Sequence, residues 1–214
     1  INHTMQYVDL IRIDHFNGFA KYWEVPIQDS DAAGGSWVKA KGIELLKKVF
    51  KDNNKVNLIA EDLGEASADA AVLRNKYGIP GMNVLQFLFY DGDSIDNIEE
   101  NTVLYTGTHD NDTSIGWFES LNSKLSSDEI NDLKNILNSD SKGMNWSMIE
   151  YSFQARAKTV IVPVQDILGL GSDSRMNTPG TISENNWSWR MDGSELKDTM
   201  LRKMRDITEK ANRT

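Results

Sequence analysis

Apolar and β-branched positions gather in five short runs, and the stretches between them carry helical periodicity. The first run, Tyr7 to Phe16, places Val8, Leu10, Ile11 and Ile13 together and predicts a buried strand. Val56–Ala60, Asn83–Phe87, Thr102–Thr106 and Thr159–Val162 predict four more, the last also buried. Trp37 to Phe50 predicts a helix with Ile43, Leu46, Val49 and Phe50 on one face and lysines on the other, broken at Asn53-Asn54. Ser67 predicts the cap of a helix through Tyr77, stopped by Gly78 and Pro80. Ser126 or Ser127 opens an amphipathic run carrying Ile130, Leu133, Ile136 and Leu137, and 145–158 and 194–211 predict two further helices. Turn formers fill 26–35, 91–100 and 169–190.

Strands alternating with helices imply parallel pairing and right-handed crossovers. A closed (β/α)8 barrel needs eight strands and about 250 residues. Five strands in 214 residues predict an α/β fold, the C-terminal part of a TIM barrel with about strands 4 to 8. The chain opens Ile1-Asn2-His3-Thr4, without an initiator methionine. Residues 1–214 are therefore expected to be one half of a barrel, with the N-terminal half absent. Half a barrel leaves open strand edges, which the missing half or a second copy is expected to cover.

Composition narrows the partners. The formal net charge of -9 points away from nucleic acid and anionic membrane surfaces, which reward basic patches. No apolar run approaches the roughly 20 residues of a membrane span, so no membrane partner is expected. The absence of cysteine removes disulfide and thiol chemistry and suits a reducing cytoplasm.

Three of the strands end in acid. Ile13 leads into Asp14, Ala60 into Glu61-Asp62, and Thr106 through Gly107-Thr108 into His109-Asp110. In barrels of this kind, active sites are built at the C-terminal strand ends. Glycosidic bond cleavage uses two carboxyl groups, a proton donor and an ionised nucleophile or base. Arg12 lies two residues before Asp14, so both side chains fall on one face of a strand. A strand-terminal acid is also often only a helix cap or a lysine's partner, and the spacing alone leaves both readings open. His15 and His109 offer no spaced zinc motif, and Gly169-Leu170-Gly171 lacks phosphate-loop spacing. Trp187 and Trp189, beside Asn185 and Asn186, are candidates for stacking on sugar rings.

The residues then carry a resemblance. Arg12-Ile13-Asp14-His15-Phe16, Ile59-Ala60-Glu61-Asp62-Leu63-Gly64 and Tyr105-Thr106-Gly107-Thr108-His109-Asp110-Asn111-Asp112-Thr113 resemble the signature blocks of amylomaltases, the bacterial 4-α-glucanotransferases or disproportionating enzymes. The likeness continues through Pro80-Gly81-Met82, Pro163-Val164-Gln165-Asp166, Arg175-Met176-Asn177 and Asn186-Trp187-Ser188-Trp189-Arg190. It implies Asp14 as nucleophile, Glu61 as general acid and then base, and Asp110 as stabiliser of the transition state. It implies that Arg12, His109, Asn186 and Trp187 bind substrate, with a maltodextrin or other α-1,4-glucan as partner and no cofactor or metal. Asn17 and Lys41 depart from the family's usual arginine and proline, which bears on acceptor or chain-length preference. Hydrolysis with water as acceptor, or sugar binding without turnover, remain as alternatives at this point.

Overall fold

The computed structural model describes residues 1–52, 56–64, 67–139 and 143–213. The chain divides into two compact units, one of Ile1–Met82 with Asn101–Val103 and one of Asn83–Glu100 with Leu104–Thr214.

The first unit is built on two parallel strands, β1 (Ile11–Ile13) and β4 (Leu58–Ala60), in the register Ile11 to Leu58, Arg12 to Ile59 and Ile13 to Ala60. Every residue of β4 is buried. Helix α1 (Gly42–Asp52) sends Leu46, and α2 (Ser67–Lys76) sends Ala70 and Leu73, into a core shared with Phe16, Val56, Leu58 and Ile79. The expected strand from Tyr7 shrinks to three residues. Val8 and Leu10 are 42% and 46% exposed, because the described ladder gives partners only to Ile11–Ile13. Ser67 is the first residue of α2, and the expected break at Asn53-Asn54 lies outside the described residues.

Trp37 does not open a helix. It lies in β3 (Ser36–Lys39), antiparallel to β2 (Lys21–Glu24), with Trp23 directly opposite Trp37. Their rings meet edge to face at 5.4 Å, a cross-strand contact that rewards the hairpin. The turn-rich stretch 26–35 is the hairpin's connection, and the helix waits until Gly42.

A three-stranded sheet runs in the order β5 (Gly81–Val84), β6 (Thr102–Tyr105), β7 (Thr159–Ile161). The run expected as a strand to Phe87 changes at Leu85 into helix α3 (Leu85–Asp91). The i, i+3 pair Leu85 and Leu88 thereby enters one core with Leu104, Trp117, Ile130, Leu133 and Met148. Helices α4 (Ser114–Asn122), α5 (Ser127–Leu137) and α6 (Met144–Phe153) supply half of the buried residues of that core. Ser126 caps α5 in a reciprocal box, its backbone N–H donating to Glu129 at 2.9 Å. After β7 come the short α7 (Val164–Leu168) and the closing α8 (Asp198–Lys210), whose Ile207 packs on Ile149 and Phe153. The expectation of a buried last strand fails: Thr159 and Ile161 are exposed, and Val160 and Val162 are only partly buried. Among the described residues no helix is long and apolar enough to cross a membrane.

Candidate active site

In the first unit the parallel register sets two acids side by side. The Glu61 N–H donates to Ile13 O at 2.9 Å, and the Phe16 N–H donates back to Glu61 O at 2.8 Å. Asp14 and Glu61 therefore follow paired residues at the same end of neighbouring strands. The Glu61 carboxylate accepts from the His15 N–H at 2.7 Å and the Leu63 N–H at 3.2 Å, so it is anchored to the residue after Asp14. His15 bends the chain there with a left-handed backbone, φ 48°, a conformation costly to most side chains. It serves through its backbone, and its side chain is exposed.

Arg12 meets Asp14 as the strand period requires. Its Nη1 lies 2.7 Å from Asp14 Oδ1, and its Nε donates to Met82 Sδ at 3.1 Å. The Asp14 carboxylate is 68% exposed and open to a ligand. Asp62, one residue beyond Glu61, turns the other way. It is buried, takes Arg74 Nε at 2.5 Å and accepts the Met82 N–H at 3.0 Å. Successive side chains alternate in direction along extended chain, so Glu61 turns to the His15 and Leu63 N–H groups while Asp62 braces the unit. Asn17, one of the two departures, is buried and donates to Leu63 O. It joins the turn after β1 to the turn after β4.

In the second unit the 107–113 loop leaves the end of β6 and delivers His109 and Asp110. The Thr108 N–H and hydroxyl both donate to Asn111 Oδ1, closing the loop on itself at 2.9 and 2.8 Å. His109 Nε2 stands 3.4 Å from Asp110 Oδ1, an ion pair only when the imidazole is protonated. The His109 ring lies 5.1 Å from the Trp187 ring at a 35° tilt. Trp187 is exposed, has φ 63°, and is pinned by its N–H on Met176 O. Asn186 is held at both ends of its amide. Its Oδ1 accepts the Thr178 N–H at 3.1 Å, and its Nδ2 donates to Thr181 O and Oγ1 at 3.2 Å each.

Two residues absent from the sequence-derived set belong here. Asn177 Nδ2 donates to Asp110 Oδ1 at 2.6 Å, and its N–H donates to His109 O at 3.0 Å. Arg175 Nη2 donates to Asp110 O at 2.5 Å and its Nε to Asn177 O at 2.8 Å. The Arg175-Met176-Asn177 block was the available signal, but it contains no acid and draws no attention as chemistry. Among the described residues no three His, Asp or Glu side chains cluster to hold a metal.

A model of the 4-alpha-glucanotransferase family matches residues 1–197. The chain is 41% identical over 215 aligned residues to the 4-alpha-glucanotransferase of Synechocystis, covering 96% of this chain and 41% of that one. It is 38% identical over 218 to that of Thermus thermophilus, covering 97% and 43%. To the chloroplastic/amyloplastic enzyme of Solanum tuberosum it is 42% identical over 208, covering 93% and 35%. The solved amylomaltase from Streptococcus agalactiae, in complex with acarbose, superposes with a TM-score of 0.90 at 35% identity, covering 100% of this chain and 43% of that one. The fold is thus an α/β fold with parallel strands, similar to an amylomaltase. The chain belongs to the 4-alpha-glucanotransferase family and spans about two-fifths of the length of these relatives.

Proposed function

We propose that this chain is the C-terminal part, about strands 4 to 8, of the (β/α)8 catalytic barrel of a 4-α-glucanotransferase. The enzyme moves α-1,4-glucan segments from one maltodextrin to another. In the first step Asp14 attacks the anomeric carbon while Glu61 protonates the departing glycosidic oxygen, leaving a covalent glucosyl-enzyme. In the second, Glu61 takes the proton from an acceptor sugar hydroxyl, which displaces Asp14. Asp110 supports the positive charge that develops on the sugar, Arg12 and His109 orient carboxylate and sugar, and Trp187 supplies a stacking face. Asn186, in the loop that carries Trp187, lies against the acceptor or donor glucose.

The interlock of Asp14 and Glu61 at the ends of paired parallel strands carries this reading. It places a nucleophile candidate, with an arginine on it, beside a carboxylate fixed by backbone N–H groups. The acarbose complex of the Streptococcus agalactiae relative supports an α-glucan oligosaccharide as ligand. The exposure of Val8, Leu10 and Ile161, against the buried β4, supports a further segment completing the barrel. That segment is an N-terminal half or a second copy of this chain. A cysteine-free chain suits a cytoplasmic location.

The test supplies residues 1–214 with maltotriose, alone and together with the N-terminal part of a relative. Transfer yields glucose plus longer oligomers, and it is expected only in the complemented mixture. Glucose and maltose without longer products would mean hydrolysis, and turnover by the unaided chain would refute the need for a completing segment.

A further inference from the structure

The 107–113 loop begins after Thr106 and ends before Ser114, and both of those residues are fully buried. One carboxylate holds the two ends. Asp166, on α7 and 1% exposed, accepts the Thr106 hydroxyl on Oδ2 at 2.6 Å and the Ser114 N–H on Oδ1 at 2.7 Å. Its own backbone is fixed in turn, since Asn145 Nδ2 donates to Asp166 O at 2.8 Å. Two further contacts hold the loop's last residues: Gln86 Nε2 donates to Asp112 O at 2.8 Å, and the Ser172 hydroxyl donates to Asp112 Oδ2 at 2.8 Å.

Burying a carboxylate is costly, and a buried acid persists where it is paired or fully hydrogen-bonded. Among the described residues no cation is placed on it; a hydroxyl and a backbone amide take that part. The Ser114 N–H is one of the orphan donors at the start of α4, and water or a capping side chain could satisfy it at less cost. What Asp166 adds is a rigid link between the end of β6 and the start of α4. The seven loop residues between those anchors include His109 and Asp110.

We propose that Asp166 is a positioning residue for the reaction, its single carboxylate clamping both ends of the 107–113 loop so that His109 and Asp110 are held in place. The role in turnover rests on the transferase reading above; the clamp itself does not.

The experiment compares Asp166→Ala and Asp166→Asn in residues 1–214 joined with the N-terminal part of a relative. Hydrogen exchange of the 107–113 amides and the NMR signals of the His109 ring are read alongside kcat and KM on maltotriose. In Asp166→Asn, Oδ1 still accepts the Ser114 N–H and Nδ2 donates to the Thr106 hydroxyl. Loop exchange and kcat are expected to stay within about twofold of the parent. In Asp166→Ala both links vanish, so loop exchange is expected to rise, and kcat to fall, about tenfold or more with KM little changed. Should the alanine variant fail to fold, Thr106→Val removes one link isosterically and is expected to show the same loosening in smaller measure. Unchanged loop exchange and His109 signals in Asp166→Ala, or in Thr106→Val where that variant is used, would overturn the clamp. Loosening without loss of kcat would overturn the catalytic role. If the parent mixture shows no transfer, it is the functional reading that fails, and loop exchange with the His109 signals still decides the clamp.

Discussion

Asn177 donates its side-chain amide to the Asp110 carboxylate at 2.6 Å across 67 positions of sequence. The same residue's N–H holds His109 O, so one asparagine fixes two neighbouring members of the proposed site. Hydrogen bonds to charged groups contribute about 1.5–3 kcal/mol. Asn177→Ala is therefore expected to lower kcat on maltotriose roughly 10- to 100-fold in the complemented enzyme, with thermal stability nearly unchanged. Wild-type kcat in that variant would show that Asp110 needs no such partner.

Arg12 and Asp14 form an ion pair whose carboxylate is largely exposed, and exposed pairs contribute only about 0–1 kcal/mol to stability. Arg12→Met should leave the urea midpoint almost where it was. Transfer should fall by at least about tenfold, because the proposed nucleophile loses its orienting partner. A large stability loss with little change in turnover would reverse that assignment.

Asp62 is expected to behave in the opposite way to its neighbour Glu61. Removing one partner of a buried pair leaves an uncompensated charge, at a cost of about 3–5 kcal/mol, and Asp62 holds both Arg74 and the Met82 N–H. Asp62→Ala should unfold the first unit at much lower urea, whereas Glu61→Gln should keep its midpoint and lose activity. Equal midpoints for the two variants would contradict the division.

Burial pushes the Asp166 carboxyl above the ordinary carboxylate range. The Ser114 and Thr106 hydrogen bonds oppose this, while the nearby Asp112 charge adds to it. The folded state thus binds this proton more tightly than the unfolded chain does. The contribution to stability is fully present below the unfolded value of about 3.9 and is lost as pH rises through the raised folded value. Relative to the parent, Asp166→Asn should gain stability as pH rises across that window. Urea titrations at several pH values check this, and parallel curves would count against it.

The proposed double-displacement roles fix a distance. In a crystal structure of the complemented enzyme, the Asp14 and Glu61 carboxyls should lie about 5–5.5 Å apart, and a gap of about 6.5–9.5 Å would indicate inversion instead. Glu61→Gln should also retain its first step on α-glucosyl fluoride, whose leaving group needs little protonation. Stalling on the fluoride and on maltodextrin alike would remove Glu61 from the acid role.

Local rules of side-chain spacing determined much of this protein. The apolar runs overlapped β1, β4, β5, β6 and β7, Ser126 fell at the start of α5, and the acid-tipped motifs set Asp14, Glu61 and Asp110 after strand ends. Other features depended on partners distant in sequence. Trp37 became a strand because Trp23 lies opposite it, and Leu85 turned helical because its core neighbours lie up to Ala157. Glu61 and Asp62 are adjacent acids that spacing alone does not rank. Arg74 and the Met82 N–H draw one inward, while the His15 and Leu63 N–H groups hold the other at the strand end. No side-chain spacing marks the roles of Asn177 and Asp166, since each acts on a loop about 60 residues earlier. Hydrogen-bond geometry between such distant positions exists only once packing has brought them together.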